Sequence, residues 1–169
     1  MKSSLSHFDA SGASRMVDVS DKSETARMAD AGALVRMQPE TLRLIRDREV
    51  AKGDVLEVAR LAGIMAAKRT ADFIPLCHPL ALEAVEISFA FPDANCLEIR
   101  AKVRITAKTG VEMEALVAAS TAALTVYDMC KSVDRGMVIE QIRLEEKSGG
   151  RSGHFQRQNQ RESHQRETP

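Results

Sequence analysis

Five short stretches of this chain gather side chains that can move protons or hold an anion. Pro75-Leu76-Cys77-His78-Pro79-Leu80 places a cysteine and a histidine between two prolines. Proline fixes φ and turns the residue before it away from helix, so the stretch reads as a stiff, extended loop. Histidine titrates near neutrality, which suits acid–base work or a hydrogen bond to an anion. The plainer reading is a crossing loop with a buried cysteine. Zinc would need further Cys or His at ligand spacing, and none is nearby, so no metal site is expected.

Glu112-Met113-Glu114 and Tyr127-Asp128-Met129-Cys130-Lys131 bracket an apolar stretch. Glu112 fits a helix start, where the dipole favours a carboxylate. Glu114 reads either as an exposed surface residue or as a site residue. Asp128 falls at a helix end, where a negative charge is disfavoured, and Lys131 lies one turn on and can reach it. This is a simple ion pair or, if partly desolvated, a tunable acid and base. Lys52-Gly53-Asp54 brings a cation to a second helix start, a pairing that suits phosphate. Lys147-Ser148-Gly149-Gly150-Arg151-Ser152-Gly153 is a basic glycine-rich loop, either an anion wrap or a flexible exit.

The elements that must position these groups follow from periodicity. Residues 27–37 read as a first strand, and Pro39 can open a helix carrying Leu42 and Ile45. Asp54 with Glu57 makes a capping box for a helix that should stop near Arg69-Thr70. Val85, Ile87, Phe89 and Phe91 alternate with polar or small residues, and Pro92-Asp93-Ala94-Asn95 is turn chemistry. Leu97, Ile99, Ala101, Val103 and Ile105 alternate again, giving a hairpin with one apolar face. Thr109 with Glu112 suggests a second capping box. Over 115–127 the helix is apolar nearly all round, which favours a subunit interface. A last strand spans 138–146. The order strand, helices, strand, strand, helix, strand is the ferredoxin-like split βαβ plan: an α+β fold with helices on one face of an antiparallel sheet. Residues 1–27 form a polar N-terminal segment, with a short extended piece at 16–20. Residues 28–147 form the domain, and 148–169 a glycine-rich loop and disordered tail.

Composition narrows the function. Lysine plus arginine total 24 and so do aspartate plus glutamate, so no excess cation is available to grip nucleic acid. Residues 97–105 carry no aromatic on which RNA bases could stack. A small-molecule sensor without catalysis remains compatible with composition, but leaves Asp128 and Lys131 unexplained. No apolar run approaches the ~20 residues of a membrane helix. Three unpaired-looking cysteines and no secretory leader point to the cytoplasm.

Taken in order, these segments resemble one family. Met16-Val17-Asp18-Val19-Ser20, Lys52-Gly53-Asp54-Val55, Ile74 through Leu80, Thr109-Gly110-Val111-Glu112-Met113-Glu114-Ala115-Leu116, residues 127–131 and residues 147–153 are similar to those of the molybdenum cofactor biosynthesis protein C family, the cyclic pyranopterin monophosphate synthases. Ala107 replaces a family glycine, and Arg151 replaces a lysine while keeping its charge. The resemblance implies a lyase acting on a 3′,8-cyclised dihydro-GTP, with pyrophosphate released. A radical S-adenosylmethionine GTP cyclase would be the pathway partner supplying that substrate. It implies acid–base roles for Asp128 and Lys131. It places Leu76, Cys77, His78, Met113 and Glu114 on the substrate, with Arg27, Lys52, Glu112 and Lys147 as further pocket residues. It implies a homohexamer, a trimer of dimers, with sites at a subunit interface. No resident cofactor is implied, and magnesium could accompany the triphosphate.

Overall fold

The structure, a computed structural model, describes residues 11–158. Its elements are β1 (Thr25–Arg36), α1 (Pro39–Arg46), α2 (Val55–Ala67), α3 (Thr70–Phe73), β2 (Ala84–Asp93), β3 (Cys96–Ala107), α4 (Glu112–Cys130), β4 (Val138–Ser148) and β5 (Phe155–Gln156). The strands form one antiparallel sheet in the order β2-β3-β1-β4-β5. The first four strands have the split βαβ order expected from sequence, and the helices pack on one face.

That face is built for close approach. Ala29, Ala31, Ala33 and Val35 of β1 and Leu97, Ile99, Ala101 and Val103 of β3 are fully buried beneath Ala115, Ala118, Ala119, Ala122 and Ala123 of α4. Small side chains let α4 lie low on the sheet and let α2 lie against α4. At Gly63 of α2 an added Cβ would meet Ile87 Cδ1 and would come to 2.9 Å from the Ala118 carbonyl oxygen. Only glycine permits this crossing without displacement.

Asp54 caps α2 as its sequence suggested, accepting from the Leu56 and Glu57 N–H groups at 3.1 and 3.2 Å. Glu57 turns to Arg60 instead of completing the box. The second capping box does not form. Val111 occupies the N-cap position of α4 with no side-chain cap. The Glu112 carboxylate is drawn toward Lys147, at 3.7 Å, and lies across Gly110, where an added Cβ would collide with it. Helix α2 stops at Ala67, where the Thr70 hydroxyl donates to the Ala67 carbonyl at 3.0 Å, and the single turn of α3 follows before Pro75 ends it.

Two boundaries differ from expectation. β1 begins at Thr25, inside the polar N-terminal segment. At the other end, part of the expected disordered tail is ordered. Residues 148–153 turn back through three glycines with positive φ, and β5 pairs with β4 in the register Lys147↔Phe155 and Glu146↔Gln156. This strand is held by main-chain bonds rather than apolar burial, so composition gives no sign of it. The rest of that tail, 159–169, lies outside the described residues. No helix among the described residues is long and apolar enough to cross a membrane.

Candidate functional site

Helix α4 carries a separate cluster at each end. At its N-terminal end, a cleft of about 290 Å³ is lined by Leu76, Cys77, His78, Glu112, Met113 and Glu114, with Val17, Val19 and Lys22 from the N-terminal segment. The Cys-His loop supplies one wall because a turn, closed by the Cys77 N–H on the Ile74 carbonyl at 3.1 Å, sends residues 77–80 along the start of α4. A second cleft of the same size behind it shares His78 and Glu114 and adds Arg69 and Asp72. Glu114 therefore stands between two openings.

Glu114 is not the exposed surface carboxylate that its sequence allowed: it is 4% exposed. Burial pushes its carboxyl above the ordinary 4.5; its own backbone N–H opposes the rise, and the Glu112 charge adds to it. The same pocket pushes the Cys77 thiol up, by burial first and the Glu114 charge second. Cys77 is thus held as a neutral thiol rather than an activated thiolate. A carboxyl with a raised folded pKa favours its protonated form, so its contribution to stability is present below 4.5 and lost as pH rises through the raised value. Glu114→Gln should therefore stabilise the fold at pH 7–8, read as a higher denaturant midpoint, because it removes a charge that burial disfavours. The difference should shrink as the pH falls toward 4.5. Denaturant melts at the two pH values check this, and an equal shift at both would show that charge is not the cause.

Beside this cleft, a third opening of about 270 Å³ is lined by Lys22, Ser23, Thr25, Arg27, Gly150 and Arg151. Arg27 is fixed by donating from Nε to the Ala107 carbonyl at 2.9 Å and from Nη2 to the Lys108 carbonyl at 3.1 Å. Gly149 and Gly150, both at positive φ, press onto the start of β1. An added Cβ would strike the Ala26 carbonyl at one and the Arg27 guanidinium at the other. Lys147 bonds the Ser152 hydroxyl and faces Glu112. Three cations and a glycine turn thus surround one opening, an arrangement suited to polyphosphate. Lys22 lines both this cleft and the first, and sequence reasoning did not select it. Its only signal was the short extended piece just before it, with Val17 and Val19, because it stands in an aperiodic polar segment.

The other cluster lies at the far end of α4. Lys131 Nζ meets Asp128 Oδ1 at 2.7 Å. Lys52 Nζ donates to the Asp128 carbonyl at 3.1 Å, a cation on the negative end of the helix. The expected partial desolvation is absent in the single chain, where the Lys131 and Asp128 side chains are 52% and 65% exposed. Lys131, by hydrogen bond and charge, holds the Asp128 carboxyl below its ordinary value, and Asp128 holds the Lys131 ammonium above its own. Both therefore stay charged. Buried Cys130 beside them has its thiol pushed up to about 11, chiefly by burial.

Asp128 lies fourteen positions beyond Glu114 on one straight helix, so the two clusters are about 21 Å apart at 1.5 Å per residue. Leu76, Cys77, His78, Glu112, Met113 and Glu114 are brought together, with Arg27 and Lys147 adjoining. Lys52, Asp128 and Lys131 are brought together elsewhere. No group of three His, Cys, Asp or Glu side chains suited to a metal ion occurs among the described residues.

The fold and the site define a ferredoxin-like α+β protein with a buried glutamate beside a Cys-His loop, a cation-lined cleft, and an Asp–Lys ion pair at the far end of the same helix. The MoaC family is matched across residues 16–150, and the chain belongs to that family. Its relatives include proteins named cyclic pyranopterin monophosphate synthase. One from Desulfitobacterium hafniense is 58% identical over 154 residues, 91% of this chain and 94% of the relative. One from Heliobacterium modesticaldum is 58% identical over 155 residues, covering 91% and 98%. One from Thermomicrobium roseum is 57% identical over 163 residues, covering 96% and 98%.

Proposed function

We propose that this chain is a cyclic pyranopterin monophosphate synthase, a phosphorus–oxygen lyase of molybdenum cofactor biosynthesis. It would convert the 3′,8-cyclised dihydro-GTP to cyclic pyranopterin monophosphate with release of pyrophosphate. The observation that carries this reading is 58% identity, over nearly the full length of both chains, to a protein of that name. The site chemistry agrees. Opening and re-closing rings needs repeated proton transfer and no net electron transfer, so side-chain acids and bases suffice. Loss of pyrophosphate needs cations about a polyphosphate, which Lys22, Arg27, Lys147 and Arg151 supply. The Leu76-Cys77-His78 loop with Met113 and Glu114 would hold the ring system. Asp128 and Lys131 would exchange protons with it, and Lys52 would support them.

With the two clusters about 21 Å apart along α4, the site we propose takes one cluster from each of two chains. Met113, Val117, Leu124 and Asp128 lie along one outward stripe of α4, with Leu124 59% exposed. Pairing that stripe antiparallel with a second copy would bring the Met113 end of one chain to the Asp128 end of the other. It would also cover the apolar surface and desolvate the ion pair. A homohexamer built as a trimer of such dimers fits, and light scattering at micromolar concentration should return a mass well above a dimer's. Magnesium could accompany the triphosphate; no resident cofactor is needed. The substrate would come from a radical S-adenosylmethionine GTP cyclase. The unpaired Cys77, Cys96 and Cys130 suit a cytoplasmic setting. Nucleic acid is not the ligand proposed, because cations on the open sheet face are matched by carboxylates: Arg100 by Asp30 at 3.0 Å, Arg104 by Glu86 at 2.5 Å and Arg143 by Glu145 at 2.7 Å. The deciding experiment is incubation with the cyclised nucleotide, expecting pyranopterin and stoichiometric pyrophosphate. Tight binding without product would favour a sensor.

A further inference from the structure

The C-terminal return, residues 154–157, contributes almost nothing to the core, yet it is tied down at every position. Its residues are exposed. His154 Nε2 lies 2.9 Å from Glu146 Oε1. Phe155 and Gln156 pair with Lys147 and Glu146 of β4. The Arg157 N–H donates to the Glu145 carbonyl at 2.7 Å, and its Nε donates to the Leu144 carbonyl at 2.8 Å. Its guanidinium also faces the Glu145 carboxylate at 3.9 Å. Two ends of the glycine turn are thereby fixed: one continues from β4, the other is clasped back onto it.

What the clasp encloses is the wall of the cationic cleft. Without the return, residues 149–153 would leave β4 as a free glycine-rich end, whose ordering on a ligand costs backbone entropy at every residue. With the return in place, Gly149 and Gly150 rest on Ala26 and Arg27, Ser152 meets Lys147, and Arg151 lines the opening. We propose that residues 154–157, with Arg157 as the main tie, are a positioning element that presets the glycine turn, Lys147 and Arg151 for a polyphosphate-bearing ligand. Arg157 itself touches no ligand. The inference rests on the reading of this opening as a polyphosphate site. The other role open to such a strand is to cover the β4 edge against association. That role predicts aggregation on removal, not a change in ligand affinity.

Three proteins test it: the full chain with Arg157→Ala, a truncation after Gly153, and a control truncation after Gln158. Pre-organisation acts on binding, so the first two should raise KM for the cyclised nucleotide about tenfold and leave kcat within about twofold. The control should match the full chain. Two readouts are independent of turnover. Trypsin should cut the Arg151–Ser152 bond several-fold faster in Arg157→Ala, measured by mass spectrometry. Calorimetry should find inorganic tripolyphosphate bound about tenfold more weakly. Unchanged KM together with unchanged cutting at Arg151 would overturn the proposal. So would a collapse of kcat with loss of the oligomer, which would make the return structural. If the full chain turns over no cyclised nucleotide, the activity reading fails by itself. Cutting and tripolyphosphate affinity then still decide the clasp: faster cutting with weaker binding supports it, and equal values overturn it.

Discussion

Asp128→Asn and Lys131→Ala should each lower turnover of the cyclised nucleotide by roughly 100-fold or more, the usual loss for a general acid or base. The reasoning starts from what the single chain lacks. With both side chains in water and 2.7 Å apart, each stabilises the other's charged form, which opposes proton exchange near neutrality. A covered pair differs. Desolvation raises the carboxylate and lowers the ammonium, so the two values converge and one proton can pass between them and the substrate. The pair then acts as a unit, and the double variant should be little slower than either single one. The fold of the single chain should survive, because both groups are exposed there and an exposed ion pair contributes little to its stability. Steady-state kinetics with all three variants settles this. Weak binding with near-normal turnover in both singles would reduce the pair to an ion pair that merely holds substrate. Acid–base work would then pass to His78 and Glu114.

How legible these groups were depended on the range of the interaction that places them. The hairpin of β2 and β3 was readable because alternation at Val85, Ile87, Phe89 and Leu97, Ile99, Ala101 is a local, period-two pattern that burial of one face enforces. The Asp54 cap was readable for the same reason, since its bonds reach only two and three residues ahead. The Thr109 cap had an equally good local pattern and does not form: Val111 takes the N-cap position, and the Glu112 carboxylate faces Lys147, remote in sequence. Helix α3 is one turn long, below the window in which periodicity can be counted. The burial of Glu114 depends on where the Pro75–Pro79 loop lands, and the return strand depends on main-chain bonds and the polar ties of His154 and Arg157 rather than on apolar burial. Neither leaves a compositional trace. The separation of the two clusters was implicit in the numbering of α4, but only the straight, unbroken helix makes it a constraint.

That constraint yields the second large effect. Mixing inactive Glu114→Ala and Lys131→Ala proteins, after dissociation and reassembly, should restore activity to about a quarter of the wild-type level. Suppose each site takes its N-terminal cluster from one chain and its C-terminal cluster from another across a two-fold axis. Random pairing then gives half mixed dimers, and each mixed dimer has one doubly damaged site and one intact site. A quarter of all sites is therefore wild type, starting from two proteins whose separate turnover is at or below roughly a hundredth. If both clusters served one site within a single chain, every site in every mixture would carry a lesion and nothing would be restored. The readout is insensitive to small stability differences, because they change the yield of dimers and not the presence or absence of rescue. A third variant, Leu124→Arg, places a charge in the outward stripe of α4, where that side chain is exposed in the single chain. It should leave the isolated fold intact while weakening assembly, and so abolish the rescue when present in both partners. Rescue that persisted with Leu124→Arg, at unchanged oligomer mass, would place the shared interface on another face of the molecule.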